Sequence, residues 1–192
     1  MNKLLPLVTG AILLAGCGGS GGSGAGGGTP SAPVPSATAP SPSGSPAKEQ
    51  QRLRKLPDKL RFEATTLDGR PFTGVNLAEK PVVFWFWAPW CPKCRAEGPA
   101  VAKAARANAG RVEFVGVAGL DRDTAKMKEF VARTGTSGLP HLDDRSGRLY
   151  RHFGVTTQSS FLFMRPDGTA ERASGPLGED ELAARVRALA GG

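Results

Sequence analysis

The stretch at residues 84–99, "FWFWAPWCPKCRAEGP", runs from a block of aromatic residues directly into two cysteines separated by two residues. The 192-residue chain has three cysteines, and two of them lie here. Every residue of 82–88 is apolar, which predicts a strand buried on both faces within a parallel sheet. Residues 92–108, rich in Ala, Lys and Arg, predict the crossover helix, and the apolar run 112–119 predicts the next parallel strand.

Further strands and helices are predicted on either side of this unit from hydrophobic spacing and turn residues. They are a strand at 61–66, a helix at 123–134, a hairpin with strands at 160–164 and 169–174, and a C-terminal helix at 179–190. The whole pattern predicts a small α/β sandwich with a mixed sheet. The four aromatic residues at 84–87 are expected to belong to its core.

The two neighbouring cysteines are placed for sulfur chemistry. Cys91 falls at the N-terminus of the predicted helix, and Pro92 takes the first helical position, where a missing N–H costs nothing. Unpaired N–H groups and a partial positive charge at this helix end favour a thiolate, and Lys93 adds a nearby cation. Cys94 lies on the same side of the helix and can close a short ring. This spacing predicts Cys91 as the nucleophile and Cys94 as the resolving thiol of thiol–disulfide exchange.

The motif "WAPWCPKCRAEGP" resembles the active site of the thioredoxin-like proteins of the TlpA/ResA/DsbE group, which include actinobacterial lipoproteins. The resemblance extends from Leu60 to the C-terminus through the segments "LRFEATTLDG", "KPVVFWFWAPWCPKC", "VEFVGVAGLD", "FGVTTQ" and "DELAARVRALA". It implies an α/β thioredoxin fold with an N-terminal strand extension. It also implies that Cys91 and Cys94 form the redox centre without a further cofactor, and that Trp90 packs beside them.

Residues 94–99 match the pattern C-x-x-E-x-P of this group, in which the glutamate lies near the buried cysteine and moves protons. The resemblance therefore implies a catalytic role for Glu97 and a helix-kinking role for Pro99. Independently of the resemblance, Glu97 follows Cys94 by one helical turn, so the spacing permits proton transfer between them. The alternative is a solvated surface glutamate with no part in the reaction.

One position departs from the group's pattern. The family has a cis-proline in a loop facing the two cysteines, and alignment on "FGVT" places Ser159 there. A cis bond before a residue other than proline costs about 3–4 kcal/mol, so we expect the Gln158–Ser159 bond to be trans, or cis and strained. In the family this loop pairs with the incoming polypeptide and keeps metals off the thiols. Ser159 therefore puts substrate binding in question, but not the sulfur chemistry.

The N-terminus, "MNKLLPLVTGAILLAGC", has the form of a secretory signal. Lys3 precedes an apolar run that ends at Ala15, shorter than the roughly 20 residues that span a bilayer. The last four residues resemble the lipobox of bacterial lipoproteins, which implies that Cys17 carries a diacylglycerol and anchors the protein to a membrane. The alternative is a plain signal peptide with a coincidental cysteine.

Low-complexity sequence follows Cys17. Residues 18–47 are all Gly, Ser, Ala, Pro or Thr apart from one valine, and such a composition is typical of a disordered tether. We therefore predict three parts: a lipoprotein signal peptide at 1–16, a lipidated Cys and tether at 17–47, and a thioredoxin-like domain at 48–192.

Several other classes of site do not fit the sequence. The net charge of +8 is scattered along the chain, and no phosphate loop or nucleic-acid motif occurs, so no nucleic-acid partner is predicted. His141 and His152 lack the spacing of metal ligands, and Arg95 stands where a haem-attachment motif needs histidine. Two cysteines supply too few ligands for a structural zinc, so no metal site is predicted.

These observations predict a lipid-anchored thiol–disulfide oxidoreductase on the extracytoplasmic face of the cell membrane. A stabilised Cys91 thiolate stabilises the reduced protein, which favours oxidation of cysteine pairs in exported proteins, with a membrane redox partner resetting the disulfide. Two alternatives stay open. The first is a reductant in cytochrome c maturation, because the fold also hosts such proteins. The second, motivated by Ser159, is a tethered binding module that has lost catalysis.

Overall fold

The computed structural model of the chain describes residues 46–191. The predicted signal peptide, Cys17 and the predicted tether as far as residue 45 lie outside the described residues. Within residues 46–191, no helix is long and apolar enough to cross a membrane.

Five α-helices and seven strands make up the described chain, together with two short 3-10 turns. The helices are α1 (Pro46–Lys55), α2 (Pro92–Ala107), α3 (Thr124–Thr134), α4 (Arg148–Phe153) and α5 (Glu179–Ala190). The strands are β1 (Glu63–Thr65), β2 (Pro71–Thr73), β3 (Val82–Trp87), β4 (Glu113–Gly119), β5 (His141–Asp144), β6 (Ser160–Met164) and β7 (Ala170–Ser174).

Five of the strands form one mixed sheet in the order β5-β4-β3-β6-β7. The central strand β3 is parallel to β4 and antiparallel to β6, as a βαβ unit followed by a hairpin requires. Strands β1 and β2 pair in a separate two-stranded sheet, which touches β5 through a bridge between Thr66 and Leu142. The predicted α/β class with an N-terminal strand extension is confirmed.

Strand β3 is buried along its whole length because helices or loops cover both faces of the sheet. Its side chains alternate between two hydrophobic clusters, as the period of two in a strand requires. Trp85 and Trp87 belong to the cluster that contains buried residues of α2, α3 and α5. Phe84 and Phe86 belong to the opposite cluster, where they pack against Phe153 of α4. The two clusters confirm the predicted core role of these aromatic residues.

The sequence pattern missed β2, β5, α1 and α4. Strand β5 reads His-Leu-Asp-Asp, which has too few apolar residues to predict a strand. Helix α4 has six residues, and its start depends on buried Asp144, whose two carboxylate oxygens accept the backbone N–H groups of Leu149 and Tyr150 at 2.9 Å. Such short elements depend on contacts elsewhere in the fold.

Candidate active site

The Cys91–Cys94 pair lies where the buried strand β3 leads into helix α2. Cys91 is the N-cap of α2 and Pro92 occupies its first turn, as the sequence predicts. The two cysteines form a disulfide with their Cα atoms 5.3 Å apart, and the Cys94 N–H donates a hydrogen bond to Cys91 Sγ at 3.1 Å. Cys91 keeps 3% of its surface exposed and Cys94 none, so Cys91 is the residue of the pair that reaches solvent.

The surface beside the disulfide is partly apolar. Trp90 is 53% exposed, and its indole N–H donates to the carbonyl oxygen of Leu120 at 3.0 Å. Leu120 is itself 44% exposed, so the two side chains form an apolar edge after β3 and β4. Pro92 and Lys93 are exposed on the first turn of α2. Pro92 and Lys93, which the sequence predicts to support the site, therefore lie on its solvent-exposed side.

Glu97 is buried, with 2% of its surface exposed, so the alternative of a solvated surface glutamate is wrong. Its Oε1 accepts the backbone N–H of Leu177 at 2.8 Å. Its Oε2 accepts the indole N–H of Trp85 at 3.3 Å and also contacts the hydroxyl of Ser159. One helical turn of α2 separates this buried carboxyl group from Cys94.

Burial raises the pKa of Glu97 above its usual value of 4.5. The hydrogen bonds from Ser159, Leu177 and Trp85, and the positive charge of Lys93, oppose this shift because they stabilise the carboxylate. Burial prevails, so Glu97 holds its proton more tightly than an exposed glutamate does. A buried carboxyl group with a raised pKa is suited to giving and taking a proton during catalysis.

Ser159 lies directly before β6 and is buried. The Gln158–Ser159 peptide bond is cis, so of the two states expected from the sequence the structure has the cis one. The Ser159 hydroxyl contacts Glu97 and accepts the indole N–H of Trp85 at 3.1 Å. The structure thus brings two of the predicted site residues, Glu97 and Ser159, into contact, and Cys94 lies one helical turn before Glu97 in α2.

Two further groups of this site were not identified from the sequence. Trp85 was predicted as a core residue only, yet its indole N–H is shared between Glu97 and Ser159. The second group is the backbone N–H of Leu177, which donates to Glu97 and which no residue type in the sequence could have indicated. Gly175 lies against the carboxyl group: an added Cβ would lie 2.1 Å from Glu97 Oε1, so a larger residue at this position would displace that oxygen. The sequence feature that could have indicated Trp85 is a tryptophan, with its polar N–H, in a buried strand directly before the two cysteines.

Of the remaining candidates from the sequence, His141 is held by structural hydrogen bonds. His141 is buried, with Nδ1 accepting the Trp87 indole N–H at 3.2 Å and Nε2 bound to the carbonyl oxygen of Thr136 at 3.0 Å. Within the described part of the chain, no three His, Cys, Asp or Glu side chains converge to hold a metal ion. Pro99 lies inside α2, and a kink there stays a prediction.

Comparison with known proteins gives the family. The model of the AhpC/TSA family matches residues 54–174. The chain belongs to this thioredoxin-like family. Its relatives include the soluble secreted antigen MPT53 of Mycobacterium tuberculosis, which is 42% identical over 135 residues, or 69% of this chain and 76% of MPT53.

Two solved structures match both the fold and the sequence of this chain. DsbF of MTB, solved in mixed oxidized and reduced forms, matches with a TM-score of 0.67 and 44% identity over 70% of this chain and 98% of that chain. A secreted Mycobacterium tuberculosis disulfide oxidoreductase homologous to E. coli DsbE matches with a TM-score of 0.64 and 41% identity over 68% and 97%. The thioredoxin fold and the resemblance to the TlpA/ResA/DsbE group are confirmed. The protein is a thiol–disulfide oxidoreductase, and enzymes of this type use no external cofactor.

Proposed function

We propose that this protein is a membrane-anchored oxidant of cysteine pairs in exported proteins, acting through the Cys91–Cys94 disulfide. The observation that supports this most directly is the position of the disulfide at the first turn of α2, with the Cys94 amide donating to Cys91 Sγ. The same amide and the helix dipole stabilise a thiolate at Cys91 after reduction. A stabilised thiolate lowers the free energy of the reduced protein, so the disulfide accepts electrons readily.

The proposed exchange consists of two displacements at sulfur. A client thiolate attacks Cys91 Sγ, the Cys91–Cys94 bond breaks, and Cys94 leaves as a thiolate that takes a proton from Glu97. A second client thiolate then attacks the client sulfur of the mixed disulfide and expels Cys91 as a thiolate. The client loses two electrons and gains a disulfide. Its thiol protons enter the solvent, from which Glu97 is reprotonated, and a membrane redox partner removes the two electrons to reset the pair.

The redox potential tests the direction of electron flow. We expect a potential well above that of thioredoxin, about −270 mV, and closer to that of protein disulfide isomerase, about −180 mV. Equilibration with glutathione buffers followed by thiol alkylation measures it. A value near −270 mV would contradict the oxidant proposal.

The alternative function is that of a reductant, for example in cytochrome c maturation. It is favoured by the burial of Glu97, which suits a base as well as an acid. In this direction a Glu97 carboxylate takes the proton of the Cys94 thiol, and Cys94 then attacks the mixed disulfide at Cys91. A thioredoxin-like potential together with rapid insulin reduction would favour the reductant.

We propose that the protein works at the extracytoplasmic face of the cell membrane, held there by a lipid on Cys17. Two similar proteins are described as secreted, and the sequence before Cys17 resembles a lipobox. Two acyl chains suffice for stable anchoring, because each buried methylene contributes about 0.8 kcal/mol.

In a bacterium that processes lipoproteins, the full chain should enter the detergent phase of a phase-separation assay, and Cys17→Ser should not. Equal partitioning of both into water would contradict the anchor.

Trapping identifies the proposed clients. With an added thiol oxidant that joins Cys91 to a client thiol, Cys94→Ser should hold the mixed disulfide, because no Cys94 thiol is present to attack it and release the client, and mass spectrometry identifies that client. The matched control Cys91→Ser should trap nothing and should abolish exchange. If the wild-type protein neither oxidises reduced substrates nor reduces insulin, the binding-module alternative replaces the proposal.

A further inference from the structure

The Glu97 carboxyl group is enclosed by three hydrogen-bond partners from distant parts of the chain. The indole N–H of Trp85, 3.3 Å from Oε2, and the backbone N–H of Leu177, 2.8 Å from Oε1, can only donate. The hydroxyl of Ser159 also contacts Oε2, but a hydroxyl has one hydrogen and two lone pairs. Ser159 is therefore the one partner of the three that can both donate to a carboxylate and accept from a carboxylic acid.

We propose that Ser159 is a positioning residue that keeps Glu97 hydrogen-bonded in both of its protonation states, and so tunes proton transfer during thiol–disulfide exchange. The inference rests on the proposed function and adds a role for the residue at the position where the resembled group has proline. With Glu97 charged, Ser159 donates to Oε2 while its oxygen accepts the Trp85 N–H at 3.1 Å. With Glu97 protonated, Oε2 donates to the Ser159 oxygen. A proline or an alanine could do neither.

The Ser159 hydroxyl is important because charged side chains contribute little to the stabilisation of the Glu97 carboxylate. Burial raises the pKa of Glu97, and the hydrogen bond from Ser159 is the first of the interactions that lower it again. Among the described residues, Lys93 on the same helix is the charged side chain that acts on this pKa. The segments packed against Glu97 contribute an indole, a hydroxyl and a backbone amide, none of which carries a charge.

Direct titration of Glu97 tests the proposal. The carboxyl carbon of Glu97 is followed by NMR from acid to alkaline pH in the oxidised full chain, and the pH profile of client oxidation is recorded in parallel. Ser159→Ala removes a hydrogen bond from both protonation states, but the bond to the charged carboxylate is the stronger one, so the midpoint of the titration and of the profile should move to higher pH. Ser159→Thr keeps the hydroxyl and should restore the wild-type midpoint. Ser159→Pro, which also lacks the hydroxyl, should shift the midpoint upward and serves if Ser159→Ala does not fold.

Ser160→Ala is the matched control, because the neighbouring Ser160 hydroxyl donates to the carbonyl oxygen of Thr157 at 2.8 Å and not to Glu97. It should leave the midpoint unchanged. The proposal is overturned if the folded variants lacking the Ser159 hydroxyl titrate as wild type, or if Ser159→Thr or Ser160→Ala shifts as far as they do. Absence of exchange activity in the wild-type protein would instead contradict the proposed function, and the NMR midpoints would still decide the role of Ser159.

Discussion

Glu97 loses nearly all of its hydration in the folded protein, and three hydrogen bonds take the place of water. None of these bonds comes from a positively charged partner, so the desolvation cost is only partly offset and the pKa stays raised. At the residue scale, the proposed proton transfer therefore depends on burial. A more exposed glutamate at the same helical position would lose its proton at lower pH.

Glu97→Gln is expected to slow client oxidation by about 100-fold or more, the usual size of a lost general acid–base group. The amide keeps the shape of the carboxyl group, and its oxygen can still accept the backbone N–H of Leu177. The fold should therefore persist, which circular dichroism checks. Stopped-flow oxidation of a reduced peptide measures the rate, and an unchanged rate from pH 5 to 8 would contradict the assigned role.

The burial of His141 predicts how the free energy of unfolding changes in acid. Burial lowers the pKa of His141 to about 4 from the usual 6.5, and the hydrogen bond to the Thr136 carbonyl oxygen opposes this shift only in part. Between these two values the unfolded chain binds a proton that the native state excludes. The free energy of unfolding should therefore fall as pH drops from 6.5 to about 4, by about 1.4 kcal/mol per pH unit.

Urea unfolding at pH 7 and pH 4.5 measures this loss. His141→Gln should show a smaller loss than the wild type, because glutamine does not titrate. His152→Gln replaces an exposed histidine and provides the matched control. Equal losses in wild type and His141→Gln would show that other groups govern the acid response.

At the scale of elements, α2 and α3 approach each other through a glycine. A Cβ added at Gly98 of α2 would lie 2.3 Å from the Cβ of Thr134 in α3, and Thr134 is itself buried. The contact therefore sets how close the helix that carries both cysteines lies to its neighbour. No side chain larger than hydrogen fits there unless one of the helices moves.

Gly98→Ala should lower the free energy of unfolding by about 1–2 kcal/mol, since the strain of overpacking exceeds the helix propensity that alanine gains. Gly138→Ala is the matched control, because no atom lies within 4 Å of its added Cβ. Thermal and urea unfolding compare the two variants. A Gly98→Ala protein as stable as the Gly138→Ala protein would contradict the close packing of α2 on α3.

At the scale of the whole molecule, the redox state of the pair and the stability of the fold are linked. If folding stabilises the Cys91 thiolate, the reduced protein should have a larger free energy of unfolding than the oxidised one. Each 30 mV by which the folded pair exceeds the potential of the unfolded pair corresponds to about 1.4 kcal/mol.

Urea unfolding with and without dithiothreitol measures this difference. Cys91→Ser in both conditions is the control, because it has no Cys91–Cys94 disulfide to reduce. Greater stability of the oxidised form would contradict both the linkage and the oxidant proposal.

The sequence by itself determined the central βαβ unit and the place of the redox pair. Both depend on local information: the continuous apolar run of β3, the capping position of Cys91 and the spacing to Cys94. The tertiary structure alone decided what surrounds Glu97. Its partners Trp85, Ser159 and Leu177 are 12, 62 and 80 residues away along the chain, and the pairing of β3 with β6 and the return of the chain after β7 bring them together. Residue periodicity specifies which face of an element is buried, but not which distant polar group meets it there.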